Sequence, residues 1–232
     1  MKIGIVTDSH SGMSPEEAGK LGVRVLPMPF YFGDECYYEG ESLTRDAFFH
    51  RLSEGESVTT SQASPESVMD FWRKALEEFD QILYMPISSG LSGACHIASM
   101  LAEEEEFKGK VYVVDNGRIS TPMHRSILDA FELIGEGYSA ANIKEILEAN
   151  KDKMTIYIAV ETLEYLKKGG RITAATAALG SLLNIKPILR LHIGVLDMYR
   201  KCRGMKKARS EMLIAMKYDI ETKFNEYYER GD

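Results

Sequence analysis

Residues 86–96 read Pro-Ile-Ser-Ser-Gly-Leu-Ser-Gly-Ala-Cys-His and follow the apolar run Ile82–Ile87. Three serines and two glycines therefore stand at the end of a buried strand, where a helix pattern begins. A helix N-terminus offers unpaired N–H groups and the positive end of the helix dipole. Serine hydroxyls add donors, and glycines let a ligand come close to the backbone. Such a turn suits an anion without needing a cationic side chain. The competing structural reading is that Ser88 or Ser89 caps the helix. Three more polar exits have the same form: VTDSH at 6–10, TTSQAS at 59–64 and VVDNGRIST at 113–121. In TTSQAS, Ser64 is the expected cap of a helix starting at Pro65, which leaves Thr60, Ser61 and Gln62 to explain. The four exits are read as sharing one sheet edge and one polar pocket.

Other chemistries fit less well. Gly90-Leu91-Ser92-Gly93-Ala94 is one residue away from the G-x-S-x-G nucleophile elbow, and Ser92, Asp115 and His192 stand in a hydrolase order. This is the alternative reading, a serine hydrolase with Ser92 as nucleophile. His192, however, lies inside the apolar run ILRLHI, and the turn after Ile87 is longer than an elbow. The sequence contains no G-x-x-x-x-G-K-[ST] loop and no G-x-G-x-x-G. Asp8 lacks the second aspartate expected of a phosphoryl-transfer nucleophile, since position 10 is His10. The five histidines show no metal-ligand spacing, and three separated cysteines suggest neither a disulfide framework nor a metal cluster.

The elements that must position these residues alternate. Runs at 3–7, 23–32, 82–87, 111–115 and 155–160 read as strands covered on both faces, the second broken by Pro27 and Pro29. Helix patterns fill 65–79, 91–102, 122–134 and 139–151. Alternation of this kind gives an α/β fold, a parallel sheet with helices on both faces. After residue 152 the texture changes to a short helix ending in glycines, a hairpin turning at Ile193-Gly194, and a long helix over 205–229. The expected domains are 1–152, carrying the polar site, and 153–232, a smaller α/β domain with a mixed sheet. The net charge of −7 argues against nucleic acid or an anionic membrane surface as partner. No run is long enough for a membrane span, and the start has no signal-peptide pattern, so a cytoplasmic location is expected.

Together, IVTDS at 5–9, TTSQAS at 59–64, ISSGLSGA at 87–94, VVDN at 113–116, LEYLKKGGRI at 163–172 and LLNIKPIL at 182–189 resemble the DegV family in order and spacing. The resemblance implies two α/β domains, a non-catalytic lipid-binding role, and a long-chain fatty acid in a tunnel between the domains. It implies no cofactor beyond that lipid and, for some members, presentation of the acid to a fatty acid kinase partner. The family's carboxylate-binding threonine falls on Thr60, beside Ser61. Its L-S-G-T serine falls on Ser92, with the N–H groups of Gly93 and Ala94 nearby, and its G-G-R-I arginine falls on Arg171. Arg171 reads equally well as a helix-end residue. Phe30, Phe32, Leu163 and the apolar residues of 176–183 are tunnel candidates. The chain departs from the family at Ala63, Ala94 and Asn116. It also lacks the further strand–helix–strand and G-x-H-x-G-P-G motif that members usually carry, and with it a headgroup histidine.

Overall fold

A computed structural model describes residues 1–173, 176 and 185–226. The chain divides into two compact units, Met1–Lys151 and Asp152–Asp232.

The first unit is built on a four-stranded parallel sheet of β1 (Ile3–Asp8), β2 (Arg24–Leu26), β6 (Gln81–Met85) and β7 (Val111–Val113), in the order β2-β1-β6-β7. The run Ile82–Met85 shows why the strand pattern is continuous rather than alternating. Successive side chains on a strand point to opposite faces. Ile82 and Tyr84 join one core with Val6, Trp72 and Phe107, whereas Leu83 and Met85 join a second with Ile5, Ile127 and Ile143. The first face is covered by α3 (Pro65–Leu76) and α4 (Ala94–Leu101), the second by α1 (Pro15–Leu21), α5 (Ser120–Gly135) and α6 (Ala140–Ala149). Trp72 is fully buried and meets Tyr84 and Phe107 edge-on at 5.4 and 5.3 Å.

The run at 23–32, read from sequence as one broken strand, is two strands in two sheets. β2 ends at Leu26, and β3 (Pro29–Phe32) starts a small antiparallel sheet of order β4-β3-β5, with β4 at Glu35–Tyr38 and β5 at Val58–Thr60. Neither proline can donate to a ladder. Between them the Met28 N–H turns to the Ser9 hydroxyl (3.3 Å). One helix, α2 (Arg45–Ser53), packs Phe48 edge-on against Phe30 at 5.3 Å. Arg51 stands over Phe32 (4.2 Å) and pairs with Glu56 (2.6 Å).

The second unit holds β8 (Ile156–Ala159), β9 (Ile185–His192) and β10 (Val195–Arg203), with α7 (Glu164–Lys168) and a final helix, α8 (Met205–Thr222). The expected hairpin forms. Ile193 and Gly194, at φ +47° and +74°, make the left-handed turn that a two-residue hairpin requires. The expected mixed sheet is corrected: both pairings among the described residues are antiparallel. No described helix is long and apolar enough to cross a membrane.

Candidate functional site

In the parallel sheet the chain leaves β1 toward β2 and leaves β6 toward β7, so β1 and β6 flank the crevice where strand order reverses. Ligands of open α/β sheets gather outside the carboxyl ends of strands at such a point. Here the protein fills the crevice with its own carboxylate. Asp8 is fully buried; its Oδ1 accepts the His10 N–H and faces His10 Nδ1, both at 3.0 Å. Its Oδ2 accepts the Ile87 N–H at 2.8 Å, tying the ends of β1 and β6 together. Thr7 supports the same junction by donating to the Met85 carbonyl at 2.8 Å.

The first two serines of the opening turn are also spent on structure. The buried Ser88 accepts the Gly90 N–H at 3.2 Å, and its own N–H donates to the Arg118 carbonyl at 3.0 Å. Ser89 donates to Asp115 Oδ2 at 2.6 Å. Neither serine caps the helix, because α4 begins only at Ala94, with Gly93 as the residue before it and no side-chain cap. Arg118, nearly buried, donates to Ser126 (2.8 Å) and to the Asn150 carbonyl (3.1 Å). Burial pushes its guanidinium below the ordinary arginine range. These polar groups hold the strand exits in shape.

Thr60 and Ser92 differ. The Ser92 oxygen accepts the Ala94 N–H at 3.2 Å, and a hydroxyl that accepts one bond keeps its hydrogen to donate. Thr60 ends β5 opposite Phe30 and is exposed, and its hydroxyl makes no hydrogen bond among the described residues. The exit carrying Thr60 leaves the small antiparallel sheet, so the expectation of four exits on one parallel-sheet edge is corrected to three. Space still joins the fourth to the others. A Cβ placed on Gly93 would lie 3.0 Å from Gln62 Oε1. Gly93 has ordinary right-handed backbone angles (φ −68°, ψ −8°), so its bareness serves close approach, not an unusual turn. The TSQ and SGA segments therefore abut. Ser61 is exposed and donates to the Gln62 carbonyl at 3.1 Å, and Ser64 caps α3 as expected.

Thr60 also lines a cavity of about 570 Å³ with Phe30, Leu43, Phe48, Phe49 and Val58, and with Glu39, Gly40 and Arg45. Its size falls in the range of roughly 300–1,000 Å³ usual for small-molecule sites. Arg45 stands 5.7 Å from the Phe49 ring centre and forms no ion pair among the described residues. Of the tunnel candidates, Phe30 lines this cavity, whereas Phe32 is packed among Phe30, Tyr37 and Phe48. The sequence signal for Arg45, Phe48 and Phe49 is Thr44, a helix-capping residue type ahead of a stretch that no assigned element covers. Thr44 caps α2 by accepting the Ala47 N–H at 3.2 Å.

Arg171 belongs to the second unit, where it is exposed and donates to the Gly169 carbonyl at the end of α7. Leu163 is buried in that unit. The 176–183 candidates lie outside the described residues except for Thr176, which is buried and bonded to Thr173 at 3.0 Å. The proposed hydrolase partners are occupied elsewhere: Asp115 takes Ser89, and His192 Nδ1 faces the Met154 carbonyl at 3.3 Å. Among the described residues no group of three His, Cys, Asp or Glu side chains could hold a metal ion.

The chain matches known proteins over almost its whole length. A fatty-acid-binding protein of the DegV family from Thermus thermophilus is 40% identical, with a TM-score of 0.85 over 96% of this chain and 79% of that one. DegV of Bacillus subtilis, also described as a fatty acid binding protein, is 29% identical with a TM-score of 0.81, over 95% of this chain and 79% of its own. A DegV domain-containing protein of Deinococcus radiodurans is 36% identical over 213 residues, 91% of this chain and 75% of the relative. The family model described as "Uncharacterised protein, DegV family" matches residues 2–227, and this chain belongs to the DegV family.

Proposed function

We propose that this protein binds a long-chain fatty acid and is not itself a catalyst. The carboxylate is held by the hydroxyls of Thr60 and Ser92, with the N–H groups of Gly93 and Ala94 beside them and Ser61 at the margin. The observation that carries this reading is the close approach of Gln62 to Gly93, which sets the two hydroxyl-bearing segments side by side, with Thr60 itself lining an apolar cavity. The fatty-acid-binding descriptions of the Thermus thermophilus and Bacillus subtilis relatives support the ligand class.

The two parts of such a site do different work. Each buried methylene contributes about 0.8 kcal/mol, so a tail of about fifteen supplies roughly 12 kcal/mol before association costs. A charge-assisted hydrogen bond adds about 1.5–3 kcal/mol. The tail supplies most of the affinity, and the hydroxyls decide which end of the ligand lies beside α4. Ser92 acts as a donor and not as a nucleophile, because activation needs an adjacent base and the candidate His192 and Asp115 are engaged elsewhere.

Organic extraction and native mass spectrometry of the purified chain, followed by calorimetry of the delipidated protein with stearate, test the reading. A bound or readily regained fatty acid is expected. Absence of any acyl ligand, with no heat of binding at micromolar concentrations, would rule the function out.

A further inference from the structure

Three side-chain atoms where the exits of β1 and β7 meet α5 are buried and bond to nothing among the described residues: the Ser11 hydroxyl, Asn116 Nδ2 and Arg118 Nε. Asn116 is fully buried, and Ser11 and Arg118 are only 1% and 8% exposed. The segments that carry them converge. The single turn Ser9–Ser11 packs on α5, and a Cβ placed on Gly12 would stand 3.9 Å from the Ser120 hydroxyl at the start of that helix. Asn116 Oδ1 accepts the Arg118 N–H at 3.1 Å, which folds the amide back over Arg118 and keeps Nδ2 beside that residue. The Arg118 side chain reaches along the first turns of α5 to the Pro122 carbonyl (3.4 Å) and Ser126. No side chain caps α5, so the positive end of its dipole lies at the same place.

Donors and charge decide what fits there. Asn116 Nδ2 and Arg118 Nε can only donate, and the Ser11 hydroxyl can donate as well. A buried donor without an acceptor is costly, and a buried charge without a counter-charge costs more. The acceptors bonded to Arg118 are neutral: the Ser126 hydroxyl and the carbonyls of Pro122 and Asn150. Asp129 stands 4.0 Å away and is itself held by Arg125 at 2.7 Å. Asp8, the other buried charge of this crevice, turns its oxygens to Ile87 and His10. A water molecule would satisfy the donors and leave the guanidinium uncompensated. A small anion does both.

We infer that a monovalent anion of the size of chloride binds at the start of α5, accepting hydrogen bonds from Asn116 Nδ2, Arg118 Nε and the Ser11 hydroxyl. It ties the exit of β1, which leads to Ser11, to the exit of β7, which leads to Asn116 and Arg118. Donor atoms enclosed this fully suit a single-atom ion better than a phosphate ester. Nothing in this site involves Thr60 or Ser92, so it stands or falls apart from the lipid reading.

Crystals of the 232-residue chain grown in sodium bromide test the inference without any variant. An anomalous bromide peak in contact with Asn116 Nδ2 and Arg118 Nε is expected. Water density alone, or no peak at that position, would overturn it. Urea unfolding supplies a second test, with chloride raised at constant ionic strength against gluconate, an anion too bulky for an enclosed site. The midpoint should climb and then level off as the site fills. Asn116→Asp keeps the acceptor for the Arg118 N–H and puts a negative charge beside the guanidinium, so it should fold and lose the chloride dependence. A parent midpoint indifferent to chloride, or an Asn116→Asp midpoint that responds as the parent's does, would contradict the site.

Discussion

Two sets of polar residues stand near one another in the first unit and have opposite fates. Asp8, Ser88, Ser89, Asp115 and Arg118 spend their hydrogen bonds on the strand exits. Thr60 and Ser92 keep hydroxyl hydrogens unspent where a ligand can reach them, whereas Ser88, bonded like Ser92 through its oxygen, is buried. Residue type does not separate the sets, since both contain serines from the same turn. The difference is where the backbone needs a partner. β1 and β6 end side by side with N–H groups that the ladder does not use, and a buried N–H without a partner costs about 1–3 kcal/mol. Asp8 and Ser88 meet that need. Ser92 stands past that junction, two residues ahead of α4, where its oxygen accepts the Ala94 N–H and its hydrogen is left over for a ligand.

Substitutions can break this division. The largest effect should come from Asp8→Ala, which leaves the buried Ile87 N–H and the half-buried His10 N–H without their acceptor. A loss of about 2–5 kcal/mol in urea unfolding is expected. A loss below about 0.5 kcal/mol would mean that the carboxylate does not tie β1 to β6.

Gly93→Val should leave the backbone at ease but drive a side chain into Gln62. Fatty acid affinity should fall by about tenfold or more, with partial recovery in the double variant with Gln62→Ala. Equal affinities in all three proteins would show that the two segments do not act together.

Ser89→Ala and Ser92→Ala form the sharpest pair. Ser89→Ala should cost about 1–2 kcal/mol of stability through lost bonding to Asp115 and change affinity little. Ser92→Ala should do the reverse. The smallest effect concerns Cys95, whose thiol burial pushes up to about 12. It should resist a thiol reagent at neutral pH while the exposed Cys36 reacts. Rapid labelling of Cys95 would indicate that the start of α4 opens.

Much of this was legible in the sequence because local rules and tertiary structure agree. The both-face burial of Ile82–Met85, the Ser64-Pro65 helix start and the Ile193-Gly194 turn each follow from a short pattern with one physical solution. The order of the motifs also carried the family. What could not be read was partnership. Two prolines hid the passage from one sheet to another, and nothing in TTSQAS says which sheet its strand joins. Ser88, Ser89 and Ser92 look alike until Asp115 and Arg118, some twenty-five residues on, are placed beside the first two. The cavity residues Arg45, Phe48 and Phe49 went unassigned because α2 is only weakly amphipathic and buries none of its residues fully.

The central claim is that Thr60 and Ser92 hold a carboxylate, and a comparison of acid with ester tests it most directly. Affinities of stearate and methyl stearate should be measured side by side for the parent chain, Thr60→Ala and Ser92→Ala. The ester carries no charge, so the parent should prefer the acid. Each variant should lose about 1–3 kcal/mol for the acid, roughly five- to 150-fold, and much less for the ester, so that the preference shrinks. An acid-to-ester ratio unchanged in both variants would place the headgroup elsewhere and contradict the claim.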